Sequence, residues 1–294
     1  MVQHKIHDLL AKYRLEPTIR DVFVEGPADH RIVGWALQAS GCRDAAVLEI
    51  DAVEVPPDVL RRHSLTGGAR QKVQALAWEL ERVLGPTACQ PTCVIDADCD
   101  RLLGISQDGA LLFATDFPSI EAYLFHANDI GKLIQLVMGR RLPDVATTMR
   151  EYGTVLQELF LIRAASQRLN LAMGWLDFTK CCTGRDPDPV ALNAEEFINR
   201  LLNASGLGRS RRELLDTIES LRPRVHPDIR HQIHGHDLLS LLNFANSRHA
   251  KARELRNEEA VGSALVGCMD SERISREPLF GTLRERVSLA GPQS

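Results

Sequence analysis

The chain has 294 residues, of which 44% are hydrophobic, 25% charged and 5% aromatic, a balance that supplies a sizeable core and excludes disordered, collagen-like and coiled-coil classes. The formal charge of −4, from 35 Lys+Arg against 39 Asp+Glu, does not by itself mark a nucleic-acid binder. The length suits a main domain with an appended or inserted subdomain.

Through residue 125, short β-rich runs alternate with helical patterns, the signature of a parallel α/β sheet. Asp21–Glu25 is predicted as a strand ending in the turn Gly26-Pro27. Ala28–Ser40 follows as a helix with Ile32, Val33, Ala36 and Leu37 on one face and Gly41 as its stop. Ala45–Ile50 is a second strand. Gly67-Gly68 opens a helix through Val73, Leu76, Ala77, Leu80 and Leu84, closed by Gly85-Pro86. Thr92–Asp96 and Ala110–Thr115 are the third and fourth strands, and Asp116 with Pro118 starts a helix through Ile120, Tyr123 and Leu124. Beyond residue 128 the period is almost wholly helical. Asp129–Met138, Asp144–Leu176, Ala194–Leu202 and Ser210–Leu221 are predicted helices, separated by loops at 140–143, 182–189 and 222–227. Arg230–Gly235 reads as one more short strand, after which Asp237 caps a helix through Leu238, Leu241, Leu242 and Ala245. Residues 257–294 carry no clear pattern.

Charge is unevenly placed. Residues 1–125 hold 12 basic and 18 acidic side chains, a balance of −6, and the remaining 23 basic and 21 acidic residues give the rest of the chain +2. The seven cysteines form no even framework, the first residues lack the apolar core of a secretory signal, and no apolar run approaches a membrane span. The expectation is a soluble, cytoplasmic protein with no membrane partner.

Four acids stand where a parallel sheet brings strand ends together. Glu25 closes the first strand, Asp29 lies at the start of the following helix, and Asp96 and Asp98 close the third strand. Ligands of open α/β sheets bind at the carboxyl ends of the strands, so Glu25, Asp96 and Asp98 are expected to converge. Asp96 and Asp98 share one side if the extended geometry persists. Clustered carboxylates need a counter-charge, and an all-oxygen set suits Mg²⁺ or Mn²⁺. Such a site points to metal-assisted phosphoryl transfer. An Asp-x-Asp after a strand is also a common turn or cap pattern.

Phe23-Val-Glu25-Gly26-Pro-Ala-Asp29, followed by Val94-Ile-Asp96-Ala-Asp98, resembles the Toprim domain of topoisomerases, bacterial primases and overcoming-lysogenization-defect (OLD) nucleases. The runs Thr115–Leu124 and Ile233–Leu239 resemble, more narrowly, the stand-alone Toprim-like effectors of bacterial anti-phage defence, with those of the PARIS system closest. The resemblance implies an α/β, Rossmann-like and mostly parallel sheet with a large helical insertion or C-terminal subdomain. Its divisions are a Toprim-like domain over 1–127, a helical subdomain over 128–225 and a mixed segment over 226–294 that packs back on the first. It further implies a Mg²⁺-dependent (or Mn²⁺-dependent) endonuclease. Glu25 would be a ligand or general acid/base, Asp96 and Asp98 paired ligands, Asp29 a ligand to a second ion, and Glu121 either a further acid or a first-turn helix glutamate. Nucleic acid, as tRNA or DNA, is the implied substrate, an ABC/OLD-type ATPase the implied partner and a homodimer one assembly open to it. A non-catalytic module docking on such an ATPase is the alternative.

Other signals stay two-sided. Thr66-Gly67-Gly68, with Arg70 and Lys72, is either an anion cradle or a glycine turn before a helix. No G-x-x-x-x-G-K-[ST] loop occurs, which argues against ATP hydrolysis by this chain. His226, His231, His234 and His236 cluster without zinc-ligand spacing. His236 either meets the carboxylates as a catalytic or phosphate-binding imidazole or is a helix-start histidine. Arg209, Arg211 and Arg212, and Arg248, Lys251, Arg253 and Arg256, are phosphate contacts or solvated helix faces. Cys89, Cys93 and Cys99 read as ordinary buried thiols.

Overall fold

A computed structural model describes residues 3–85, 91–107, 109–142, 144–184, 189–246, 255 and 257–288. The readings on Pro86, Cys89, Pro143, Arg248, Lys251, Arg253 and Arg256 lie outside the described residues. The strands are β1 (His4–Lys5), β2 (Val22–Val24), β3 (Val47–Glu49), β4 (Val53–Glu54), β5 (Thr92–Ile95), β6 (Leu112–Ala114), β7 (Cys182–Thr183) and β8 (Ala191–Leu192). The α-helices in the amino-terminal half are α1 (Ile6–Leu15), α2 (Pro27–Ala39), α3 (Pro57–Arg62), α4 (Ala69–Leu84), α5 (Asp100–Leu103) and α6 (Ala127–Lys132). Those that follow are α7 (Val145–Arg168), α8 (Ala194–Ala204), α9 (Arg211–Leu221), α10 (Gly235–Asn246), α11 (Glu258–Gly267), α12 (Ser271–Ile274) and α13 (Pro278–Ser288).

The chain forms an α/β fold in two compact units. The first comprises Met1–Ala97, Ser106–Asp116 and Asp270–Ser294, and the second Asp98–Ile105 and Phe117–Met269. The units interleave along the sequence, where the sequence reading drew contiguous segments ending at 127 and 225. The turn at Ile120–Leu124 packs on α10 and on the turn at Ile229–Gln232, which draws residues after 117 into the second unit. From the expected 226–294 segment, Asp270 onward belongs to the first unit and the rest to the second.

The first unit is built on a four-stranded parallel sheet in the order β3-β2-β5-β6. Phe23 sits opposite Leu48 on one side and Cys93 on the other, and Val94 opposite Phe113. Val22, Val24 and Val94 are as buried as Phe23, Cys93 and Ile95, so both sheet faces are covered, as the continuous apolar runs require. Phe23, Cys93 and Ile95 join Leu9 and Tyr13 of α1 and Leu76 and Leu80 of α4 in one core cluster. Burial pushes the Cys93 thiol well above its ordinary value, which fits an inert core residue. On α2 the predicted face of Ile32, Val33, Ala36 and Leu37 is buried, and α12 and α13 pack against this helix.

Asp116 does not start a helix after the fourth strand. Its Oδ2 accepts the Leu279 N–H at 3.0 Å, so it caps α13, 163 residues later, and residues Ile120–Leu124 form only a 3₁₀ turn. Arg286 of α13 donates from Nε to Thr92 Oγ1 at 3.1 Å and lies 4.9 Å from the Phe113 ring centre, tying the carboxyl-terminal helix to β5 and β6.

Glu79 of α4 is buried among basic side chains. Arg62 Nη1 and His63 Nε2 lie 2.6 and 3.0 Å from its Oε1, and Arg82 Nη2 donates to Oε2 at 2.7 Å. Burial alone would raise this carboxyl, but the bonds from Arg82, Arg62 and His63 outweigh it and hold the pKa below the ordinary value. A carboxylate depressed on folding contributes stability above its unfolded pKa of about 4.3 and loses it as the pH falls through the folded value. A Glu79→Gln variant should therefore be less stable than the parent at neutral pH, with the gap closing as both are acidified. Urea midpoints at roughly pH 7 and pH 3.5 measure this.

The second unit centres on α7. Asp144 caps it by accepting from Ala146 N and Thr147 N, and it ends at Arg168 rather than Leu176, where Asn170 turns the backbone at φ 52°. Tyr152, Val155, Leu156, Leu159, Phe160, Leu161 and Ile162 are all buried, and α6, α8, α9 and α10 pack around the helix. The helix expected over Asp129–Met138 divides into α6 and a π-helical turn, Leu133–Val137. The expected strand over 230–235 is a 3₁₀ turn, Ile229–Gln232, and α10 begins at Gly235, ahead of Asp237. The unpatterned 257–294 stretch contains α11, α12 and α13. β7 and β8 form a two-residue antiparallel pair.

Candidate functional site

Adjacent parallel strands β2 and β5 end at Val24 and Ile95, so Glu25 and Asp96 leave the sheet side by side. Glu25 Oε1 accepts the Asp96 N–H at 2.8 Å. Beyond the last ladder bond the Asp96 amide needs an acceptor, and the glutamate supplies it. The next amide, Ala97, donates to Thr115 Oγ1 at 2.9 Å, and Thr115 is fully buried at the end of β6. Side chains thus satisfy the backbone as it leaves β5 and fix the position of Asp96.

Asp29 has a structural task that its spacing also explains. Its Oδ2 accepts the Gly26 N–H at 3.1 Å, the reach-back bond of a capping box, while Pro27 occupies the first turn of α2. The side chain is buried at 6% exposure. A further acid at this edge escaped the sequence reading: Glu49 ends β3 in register with Val24, and its Oε1 lies 3.9 Å from His30 Nδ1. The signal was present in the run Val47-Leu-Glu-Ile50, since the residue closing a strand beside β2 must share its edge.

Glu25, Asp29 and Asp96 belong to the first unit, and Asp98, Glu121 and His236 to the second. Extended geometry does not persist from Asp96 to Asp98. Asp98 has φ 45°, a left-handed conformation, and donates its N–H to Pro118 O at 2.9 Å. The strand alternation that would align the two aspartates ends before Asp98. Asp100 opens α5 and is buried, with Gln167 Nε2 3.5 Å from its Oδ1.

Glu121 packs its carboxylate against the α-carbon of Gly235, the first residue of α10. A negative group at that end of the helix is favoured by the helix dipole. A Cβ on residue 235 would run into Oε2 and Cδ of Glu121. Gly235→Ala should therefore cost about 1–3 kcal/mol by overpacking. Combining it with Glu121→Ala should reveal a coupling above about 0.5 kcal/mol in a denaturation double-mutant cycle.

His236 is 81% exposed, with Nδ1 3.7 Å from Glu258 Oε2 of α11. Its neighbour His234 is half-buried, and burial above all, then Arg163, lowers its pKa to about 4. Asp237, expected as a helix cap, instead accepts from Arg163 Nε and Nη2 at 2.7 and 2.8 Å and from Trp175 Nε1 at 3.2 Å. The Gly67-Gly68 turn is closed internally. Gln71 Oε1 accepts from the amides of Thr66 and Gly67, both at 2.7 Å, so these two donors serve the turn, and Lys72 lies 3.5 Å from Asp51. Both glycines have positive φ, 125° and 102°, which demands glycine there. Arg211 bonds Asn199 and Glu195, and Arg212 lies 3.8 Å from Asp216.

Among the described residues no group of three or more His, Cys, Asp or Glu is arranged to hold a metal ion. Among the same residues no helix is long and apolar enough to cross a membrane. Compared with protein-family models and with curated protein sequences, the chain matches none.

Proposed function

We propose that this protein is a Toprim-type, Mg²⁺-dependent nuclease that cleaves phosphodiester bonds of tRNA or DNA and is held in check by an ABC/OLD-type ATPase. The observation that carries the reading is the pairing of Glu25 with the Asp96 amide at the carboxyl ends of two adjacent parallel strands, 2.8 Å apart.

The donor set suits the ion. Glu25, Asp29 and Asp96 offer oxygen only, and Mg²⁺ characteristically takes one or two carboxylates together with waters and substrate phosphate, so a protein cage of three ligands is not required. Asp96 and Glu25 would hold the ion, with Asp29 as a further oxygen donor whose Oδ2 already accepts the Gly26 N–H. Bound there, Mg²⁺ would stabilise charge on the scissile phosphate. Glu25 is oriented by the Asp96 N–H, which accords with a proton-transfer role at its carboxylate. Anti-phage defence and release from the ATPase as the trigger follow from the family resemblance.

The second reading is a non-catalytic Toprim-like module docking on the ATPase. It is favoured by the absence of a three-ligand group among the described residues and by the capping role of Asp29. Calorimetric titration with Mn²⁺ separates the two. The nuclease reading expects saturable binding that Asp96→Asn weakens by about tenfold or more. Absence of binding with nucleic acid present supports the docking module.

A further inference from the structure

We propose that a pocket within the second unit binds a small phosphate ester, with Arg101, Arg224, His226 and His231 around the phosphate and an apolar wall beneath its organic part. The cavity measures about 290 Å³. That is at the lower end of the range for small-molecule pockets.

The cationic side is positioned by named bonds. Arg224 donates from Nη2 to the Leu102 carbonyl at 2.9 Å, which fixes the guanidinium. His226 Nδ1 accepts the Asp228 N–H at 3.0 Å, so its proton resides on Nε2 as a donor. The His226 and His231 rings lie 4.0 Å apart, and the Phe117 ring packs against His231 at 4.9 Å. Among the described residues, no carboxylate forms an ion pair with Arg224, His226 or His231. Burial first, then His226, lowers the His231 pKa, as crowded positive groups require.

Asp98 is the one carboxylate in the lining of this pocket, against two arginines, so the balance stays positive even with both imidazoles neutral. A phosphate would supply acceptors to Arg224 and the two imidazoles, and forked guanidinium contacts suit it. Leu102, Pro118, Phe160 and Val225 complete the lining, giving the site an apolar wall that inorganic phosphate would leave unused. A nucleoside monophosphate has both parts.

The test is calorimetry on the full chain with AMP, inorganic phosphate and adenosine. The expected order is AMP tightest, inorganic phosphate at least about fivefold weaker and adenosine without measurable binding. Arg224→Gln and His226→Gln should each weaken AMP binding by about tenfold or more while leaving the melting temperature near that of the parent. The proposal is overturned if AMP fails to bind at about 5 mM, if phosphate binds as tightly as AMP, or if neither variant changes the affinity. These results do not depend on nuclease activity.

Discussion

Replacing Asp237 with alanine should lower the free energy of unfolding by about 3–5 kcal/mol, the usual cost of removing one partner of a buried ion pair. Asp237 is 3% exposed and takes both forked bonds of Arg163 together with the Trp175 indole N–H. The Arg163 guanidinium also lies 3.6 Å from the Trp175 ring centre, so the three side chains form one unit joining α7, the segment after it and α10. Without the carboxylate, the guanidinium of Arg163, a side chain 20% exposed, and the Trp175 indole N–H both lose this acceptor. The double variant Arg163→Met/Asp237→Leu should recover much of the loss, because it removes the buried charge as well as its partner. Urea denaturation measures both, and a loss under about 1 kcal/mol for Asp237→Ala would contradict this account.

The second large effect is on activity. Glu25→Gln keeps an oxygen that accepts the Asp96 N–H, so the strand ends should stay in place and stability should change little. What it removes is negative charge and basicity. If Glu25 binds the ion or moves a proton, cleavage should fall by about 10²–10⁴-fold. Glu25→Ala should add a stability cost of about 1–3 kcal/mol, because the half-buried Asp96 amide then lacks its acceptor. Stability and activity thus separate the architectural share of Glu25 from its chemical share.

Elements with strong local patterns were legible in the sequence. The four sheet strands, α2 with its buried stripe and α4 with its glycine boundaries follow from apolar runs and turn residues acting locally. Two of the misses share one cause, the use of a local signal by a distant partner. Asp116 looked like a cap for the next helix and caps α13; Asp237 looked like a cap for its own helix and pairs with Arg163. The Glu25 and Asp96 pairing was legible because parallel strand order brings their ends together. The break in alternation between Asp96 and Asp98 was not, because Asp98 adopts a left-handed conformation, which Asp tolerates better than most residues, and gives its N–H to Pro118. The capping task of Asp29 was overlooked in favour of a ligand role, although the third helical residue reaching back to the turn is a local motif.

The most direct measurement is cleavage of end-labelled tRNA and DNA by the purified protein in Mg²⁺ or Mn²⁺, with and without chelator, the parent beside Glu25→Gln at matched stability. Metal-dependent cutting by the parent is expected, falling by about 10²–10⁴-fold in the variant. Equal cutting by parent and variant, or cutting that survives the chelator, would contradict it.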